Sequence, residues 1–229
     1  ADIDWEDGGD VVASPRQILR RQLDRLAERG WKAYAGTELE FMVFRDSYED
    51  AWHKGYRNLD PGNLYNVDYS LLGTSRVEPL IRRIRNEMGG AGMTVENSKG
   101  ECNLGQHEIN FRYDAALRSA DNHVVYKNGA KEIAAQEGQA ITFMAKFNER
   151  EGNSCHIHCS LAREDGSGNV FADDRQTFDH FVAGQLAALR ELTLMFAPHV
   201  NSYKRYVEGS FAPTAVAWGH DNRTCSMRV

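Results

Sequence analysis

In the stretch Glu38-Leu39-Glu40-Phe41-Met42-Val43-Phe44, Leu39, Phe41 and Val43 fall on one side of an extended chain and Glu38 and Glu40 on the other. A period of two is the mark of a β-strand with unlike faces. The scheme recurs twice. Gln106-His107-Glu108-Ile109-Asn110-Phe111-Arg112-Tyr113 puts Gln106, Glu108, Asn110 and Arg112 together, and Cys155-His156-Ile157-His158-Cys159-Ser160-Leu161 groups His156, His158 and Ser160. Solvent-facing strand positions usually carry Thr, Lys and mixed charges, so three faces this rich in carboxylate, amide and imidazole point to a site.

Around these strands the period changes to that of helices. Ser14 to Arg29 reads as one, with Ser14 as cap, Pro15 in the first turn, Ile18, Leu19, Leu23, Leu26 and Ala27 inward, and Gly30 as terminator. Val77 to Met88 is a second, with Leu80, Ile81, Ile84 and Met88 on one face and Arg82, Arg83 and Arg85 pointing mostly to solvent. Further helices are predicted over about 120–136 and 176–196, with turns at 89–92 and 165–169. Strands grouped with helices in this way predict an α+β domain, a curved, mainly antiparallel sheet with helices packed outside.

The 229 residues carry 27 Lys and Arg against 33 Asp and Glu, a formal charge of −6, and are 41% hydrophobic and 26% charged. This is globular composition, with enough apolar material for a core. A mild acidic excess without a basic stripe argues against nucleic-acid and anionic-membrane partners. No run is apolar enough to span a bilayer, and the acidic start Ala1 to Asp7 lacks the regions of a signal peptide, so a cytoplasmic location is expected. Four irregularly spaced cysteines make no disulfide framework.

The chemistry concentrates on the acidic faces. Glu38 and Glu40, about 6.6 Å apart along a strand, would repel by about 2.5 kcal/mol at an effective dielectric near 20. A cation beside them removes that conflict. Glu101 and Glu108 bracket Cys102-Asn103-Leu104-Gly105, whose glycine lets the chain turn back. Carboxylates with an occasional imidazole suit Mg²⁺ or Mn²⁺. Zinc is disfavoured, because on a strand Cys155 and Cys159 face away from His156 and His158; those cysteines are expected to be small buried residues. There is no Gly-x-x-x-x-Gly-Lys-Ser/Thr loop, so nucleotide phosphates would fall to metals and to arginines such as Arg205, Arg223 and Arg228.

Six segments occur in an order that resembles the glutamine synthetase family: Gly36 to Phe41, Glu101 to Glu108, Phe143 to Lys146, His156 to Leu161, Asn201 to Arg205, and Asp221 to Arg223. The resemblance runs from about residue 14 to the end. It implies a half-barrel catalytic domain and ATP-dependent joining of glutamate to an amine through γ-glutamyl phosphate. It implies Glu40, Glu101 and Glu108 as ligands of one Mg²⁺ or Mn²⁺, and Glu38 and His156 as ligands of a second. Glu96, Tyr113, His158, Ser160 and Arg228 match nucleotide contacts, Gly152 and Arg205 glutamate contacts, and Arg223 the arginine that meets the γ-phosphate. A ring-like homo-oligomer, by resemblance a dodecamer, is implied as well.

Departures from the family pattern shape the expected substrate. Glutamine-forming members resemble Asn-Gly-Ser-Gly-Met-His before the metal histidine, where this chain has Glu151-Gly152-Asn153-Ser154-Cys155-His156. They carry a glutamate where this chain has Phe211, and a phenyl ring neither attracts ammonium nor accepts its proton. An amine other than ammonia is therefore expected, as in the γ-glutamyl-ethanolamine and γ-glutamyl-polyamine relatives, with glutamine synthetase proper and a noncatalytic relative as alternatives. Against the family pattern the small N-terminal β-rich domain and the catalytic strand after Val229 are absent, so residues 1–229 are expected to be a catalytic domain truncated at both ends, with little activity alone.

Overall fold

One long strand organises the molecule. In the computed structural model, which describes residues 2–229, helix α1 (Pro15–Ala27) leads into β1 (Trp31–Phe44), 14 residues long. Two short helices, α2 (Tyr48–His53) and α3 (Leu71–Thr74), interrupt a long excursion before α4 (Glu78–Gly90). Then come β2 (Val95–Gly100), β3 (Gln106–Phe111), β4 (Asp114–Ala115), α5 (Ala116–Gln136), β5 (Ala140–Thr142) and β6 (Cys155–Arg163). The remainder is helical and looped: α6 (Val170–Asp173), α7 (Arg175–Ala188), α8 (Thr193–Phe196) and α9 (Val200–Tyr203), then β7 (Trp218–Gly219) and β8 (Met227–Arg228).

Both edges of β1 carry partner strands. β3 and β4 run antiparallel along one edge, with β2 outside β3, while β5 and β6 share the other. The result is an open, six-stranded antiparallel sheet; β7 and β8 form a separate two-stranded parallel ladder. The expected α+β architecture, with a mainly antiparallel sheet and helices on its apolar face, is what the chain adopts. Leu39, Phe41 and Val43 of β1, with Ile109 and Ile141, bury themselves against Leu80, Ile81, Ile84 and Met88 of α4 and Tyr126, Ala130, Ile133 and Ala134 of α5. A smaller cluster of Ala33, Leu161, Val170 and Ala116 takes in Leu23 and Leu26 of α1.

α5 begins at Ala116, about four residues before its predicted start, and three further differences from the predicted helices each have a local reason. α4 runs through Gly89 and Gly90 and stops one residue later. Gly92, at φ +87°, lets its own N–H donate to the Gly89 carbonyl and the Met93 N–H to the Met88 carbonyl. Met88 and Met93 both enter the core there, which completes a Schellman-type stop. The helix predicted over 176–196 breaks into α7 and α8. Leu189 and Thr193 switch to bonds three residues back, and the Thr193 hydroxyl donates to the Leu189 carbonyl, a competition that bends helices. In α1 the Ser14 side chain makes no cap bond, and Ile18 is 43% exposed. Gln17, held by Asp10, takes a buried place instead.

β3 ends at Phe111, so Arg112, expected on its polar face, lies beyond the strand and donates its backbone N–H to the Thr94 carbonyl. Cys155 and Cys159 are exposed rather than buried, because the first five residues of β6 pair with β1 along one edge and stay open to solvent. No helix among the described residues is long and apolar enough to cross a membrane.

Truncating the core should be far more damaging than trimming α1. Ile84→Ala is expected to lower unfolding free energy by about 2–5 kcal/mol, and Ile18→Ala by less than about 1 kcal/mol, both read from urea denaturation. Equal losses would refute this assignment of the core.

Candidate functional site

The register of the sheet aligns the polar side chains in two rows. Glu38 stands opposite Asn110 on one side and His156 on the other, with Asn97 beyond Asn110. One step along, Glu40 stands opposite Glu108, and Lys99 of β2 lies opposite Glu108 in turn. Glu101 joins from the turn between β2 and β3, its backbone N–H donating to the Gln106 carbonyl. That turn requires Gly105. Its φ is +73°, and a Cβ there would come within 2.5 Å of the Val43 carbonyl oxygen.

Two groups of ligand-type atoms follow, each with its members within 4.8 Å of one another: Glu38, Glu108 and His156, and Glu40, Glu101 and Glu108. Glu108, 2% exposed, belongs to both. Sequence reading assigns Glu108 to one set only; in the structure it also comes within 4.8 Å of Glu38 and His156. Neither group contains a cysteine. Three ionised carboxylates at this spacing repel by about 3.5 kcal/mol per pair at an effective dielectric near 20. The strain is visible in Glu101, which burial and the neighbouring Glu40 push up to about 7. A donor set of carboxylates and one imidazole fits a hard divalent cation.

Other groups hold the carboxylates in place. Glu38 sits 3.0 Å from His156 Nδ1 and 3.2 Å from His158 Nε2, contacts that keep it well below the usual carboxylate range and raise His158. Lys99 Nζ lies 2.9 Å from Glu108 and 3.3 Å from Glu101. Against a burial that favours its neutral form, those acids hold Lys99 above its ordinary range. Asn110 donates to Glu108 at 2.7 Å, while its own Oδ1 is buried without a partner.

A cavity of about 550 Å³ is lined by residues that include Tyr34, Arg112, Tyr113, Asn122 and Ser160, and by none of these glutamates. It takes in two of the five candidate nucleotide residues. The Tyr34 and Tyr113 rings meet edge to face at 5.8 Å. His158 is near enough to Arg228 for the arginine's charge to act on it. Glu96 stands exposed at the bulge where the β2–β3 register shifts between Val95 and Asn97. Gly152 and Arg205 are in contact: a Cβ on Gly152 would come 3.1 Å from Arg205 Cγ and 2.3 Å from the Ala145 carbonyl oxygen. Arg223 lies by the Tyr69 phenol, with Glu101 and Asp221 in electrostatic reach, and its pKa is raised. Phe211 is 64% exposed and belongs to neither acidic group.

Lys99, Tyr69, Tyr34 and Asn122 escaped the sequence reading. Tyr34 had a signal, since it lies four residues before Glu38 on the same face of β1. Lys99, two residues before Glu101, reads as an ordinary strand lysine until β2 is placed beside Glu108.

The model of the glutamine synthetase catalytic domain matches residues 12–229. The chain belongs to the glutamine synthetase family. Within that family it is 69% identical over 232 residues to a γ-glutamylethanolamide synthetase of Streptomyces coelicolor, covering all of this chain and 50% of that protein. It is 37% identical to a glutamate–isopropylamine ligase of a Pseudomonas species, again over all of this chain and 51% of that protein. To the glutamine synthetase of Pyrococcus abyssi it is 36% identical, over 98% of this chain and 50% of that protein. The chain thus spans about half the length of the curated relatives it matches. Among solved structures, a GmaS–ADP complex superposes with a TM-score of 0.87 at 29% identity, over 100% of this chain and 54% of that one.

Next to Glu108, His107 is buried, with Asn63 Nδ2 3.1 Å from its Nε2, and burial lowers its pKa from 6.5 to about 4. The unfolded chain takes up this proton below about pH 6.5 while the folded ring stays neutral until about 4. The stability it contributes is therefore present above pH 6.5 and lost as pH falls toward 4, by about 3 kcal/mol in all. Urea denaturation from pH 7 to 4 should show a shallower decline for His107→Gln than for the wild type; parallel curves would refute a neutral buried ring.

Proposed function

We propose that the whole protein is an ATP-dependent ligase that joins glutamate to an amine other than ammonia. The observation that carries this reading is Glu108 shared between two acidic groups, Glu38–Glu108–His156 and Glu40–Glu101–Glu108, on the polar face of the sheet. In this reading the two groups hold two Mg²⁺ or Mn²⁺ ions, which supply positive charge to the ATP phosphates during phosphoryl transfer. One relative is named for an ethanolamide product and another for isopropylamine as the amine it joins, which supports an organic amine.

The remaining roles fall to named side chains. Glu96, Tyr113, His158, Ser160 and Arg228 bind ATP, the cavity beside Tyr34 and Tyr113 taking its base and sugar. Gly152 and Arg205 hold glutamate, the glycine because any side chain there would collide with Arg205 and the Ala145 carbonyl. Arg223 neutralises charge on the phosphoryl group as the glutamate γ-carboxylate accepts it, giving γ-glutamyl phosphate for attack by the amine. Exclusion of water protects that acyl phosphate. Phe211 belongs to the amine pocket and replaces a carboxylate with an apolar surface suited to alkyl carbon. Residues 12–229 form the catalytic-domain portion, and a cytoplasmic, ring-like homo-oligomer, a dodecamer by family likeness, completes the proposal.

Release of ADP by the full-length protein tests it directly. Ethanolamine, isopropylamine or a polyamine should support turnover at least about tenfold faster than ammonium. Faster turnover with ammonium would make the protein a glutamine synthetase proper, and failure to bind Mn²⁺–ATP would make it a noncatalytic relative. Glu108→Ala should cost at least about a thousandfold in kcat while circular dichroism stays unchanged; retained turnover would remove Glu108 from the site. Phe211→Glu should shift relative rates toward ammonium, and unchanged ratios would take Phe211 out of the amine pocket.

A further inference from the structure

Glu40 is 8% exposed, and the protein itself bonds both oxygens of its carboxylate. Oε2 accepts from Gln106 Nε2 and from the Ser154 backbone N–H, each at 2.8 Å. Oε1 accepts from the Ser154 hydroxyl at 2.5 Å. A carboxylate has about four lone-pair directions. Two protein bonds fill those of Oε2, and one bond leaves a single direction free on Oε1.

The donors are themselves held. Gln106 Nε2 also lies 3.0 Å from the Gly152 carbonyl and 3.1 Å from Asn153 Oδ1, and Asn153 Nδ2 donates to the carbonyls of Thr142 and Met144. The Ser154 carbonyl accepts from the Glu40 backbone N–H at 3.1 Å. Ser154 and Glu40 are thus tied through both backbone and side chain, and both are buried. Ser154 also stands where the glutamine-forming pattern has its second glycine, a residue that could supply the backbone N–H bond but not the hydroxyl.

We propose that Ser154 is a positioning residue that limits Glu40 to one ligand oxygen, Oε1, and thereby biases the Glu40–Glu101–Glu108 position toward a small octahedral cation. This rests on the two-ion reading above and adds to it which oxygen of Glu40 is offered and what confines it. Mg²⁺ demands near-octahedral geometry, which single-oxygen carboxylates satisfy, whereas Ca²⁺ accepts carboxylates through both oxygens. With the hydroxyl gone, Oε1 has both of its directions free and the carboxylate can swing about the two bonds on Oε2, so the single fixed approach that suits Mg²⁺ is lost.

The test is Mn²⁺ binding by full-length protein, followed by electron paramagnetic resonance, with Mg²⁺ and Ca²⁺ as competitors. In Ser154→Ala the Mg²⁺ affinity of one of two sites should fall about tenfold, the scale of lost support for a ligand, while Ca²⁺ affinity changes less than about threefold. Ser154→Thr, which keeps a hydroxyl, should restore the wild-type ratio. Ser154→Gly provides a second removal of the hydroxyl should the alanine variant fold poorly. If wild-type protein binds no Mn²⁺, the two-ion reading fails and this inference with it. If wild type binds two ions and the hydroxyl-free variants keep its Mg²⁺-to-Ca²⁺ ratio, the role of Ser154 alone is overturned.

Discussion

Mutual repulsion among Glu40, Glu101 and Glu108 is the constraint on which the rest depends. Ligand oxygens within 4.8 Å of one another, from residues that are buried or nearly so, are not what folding alone would select. The scaffold tolerates them because each is pinned: Glu40 by Ser154 and Gln106, Glu108 by Lys99 and Asn110, Glu101 by the turn at Gly105. The Lys99 ammonium stands among these acids, and the raised pKa of Glu101 shows that one lysine does not neutralise them all.

Antiparallel pairing along both edges of β1 makes this arrangement possible. A slip of one residue between β1 and β3 would turn Glu108 into the core and Ile109 out of it. The apolar partners of the same strands prevent that slip. Leu39, Phe41 and Ile109 sit among α4 and α5, so packing on one face sets the geometry of the carboxylates on the other. Core and site share one register.

Much of this was legible before any coordinates, because alternation reports directly on which side chains share a face. The three polar faces, the glycine turn before Glu108 and helices α1, α4 and α5 all follow from local spacing. What was not legible depends on which strands become neighbours. Nothing in the spacing of Glu108 says that it stands across from both Glu40 and Lys99, or that it also comes within 4.8 Å of Glu38 and His156. The exposure of Cys155 and Cys159 reflects the open edge of β6, and the break between α7 and α8 reflects a single threonine hydroxyl that the apolar pattern does not register. The place of Phe211 relative to the carboxylates likewise rests on a loop without a period.

The proposed two-ion centre is most directly tested by the anomalous difference map of full-length protein crystallised with Mn²⁺, recorded at the manganese edge. Two peaks flanking Glu108 are expected, one bounded by Glu40 and Glu101 and the other by Glu38 and His156. A map without peaks there, or with manganese bound only at other residues, would contradict it.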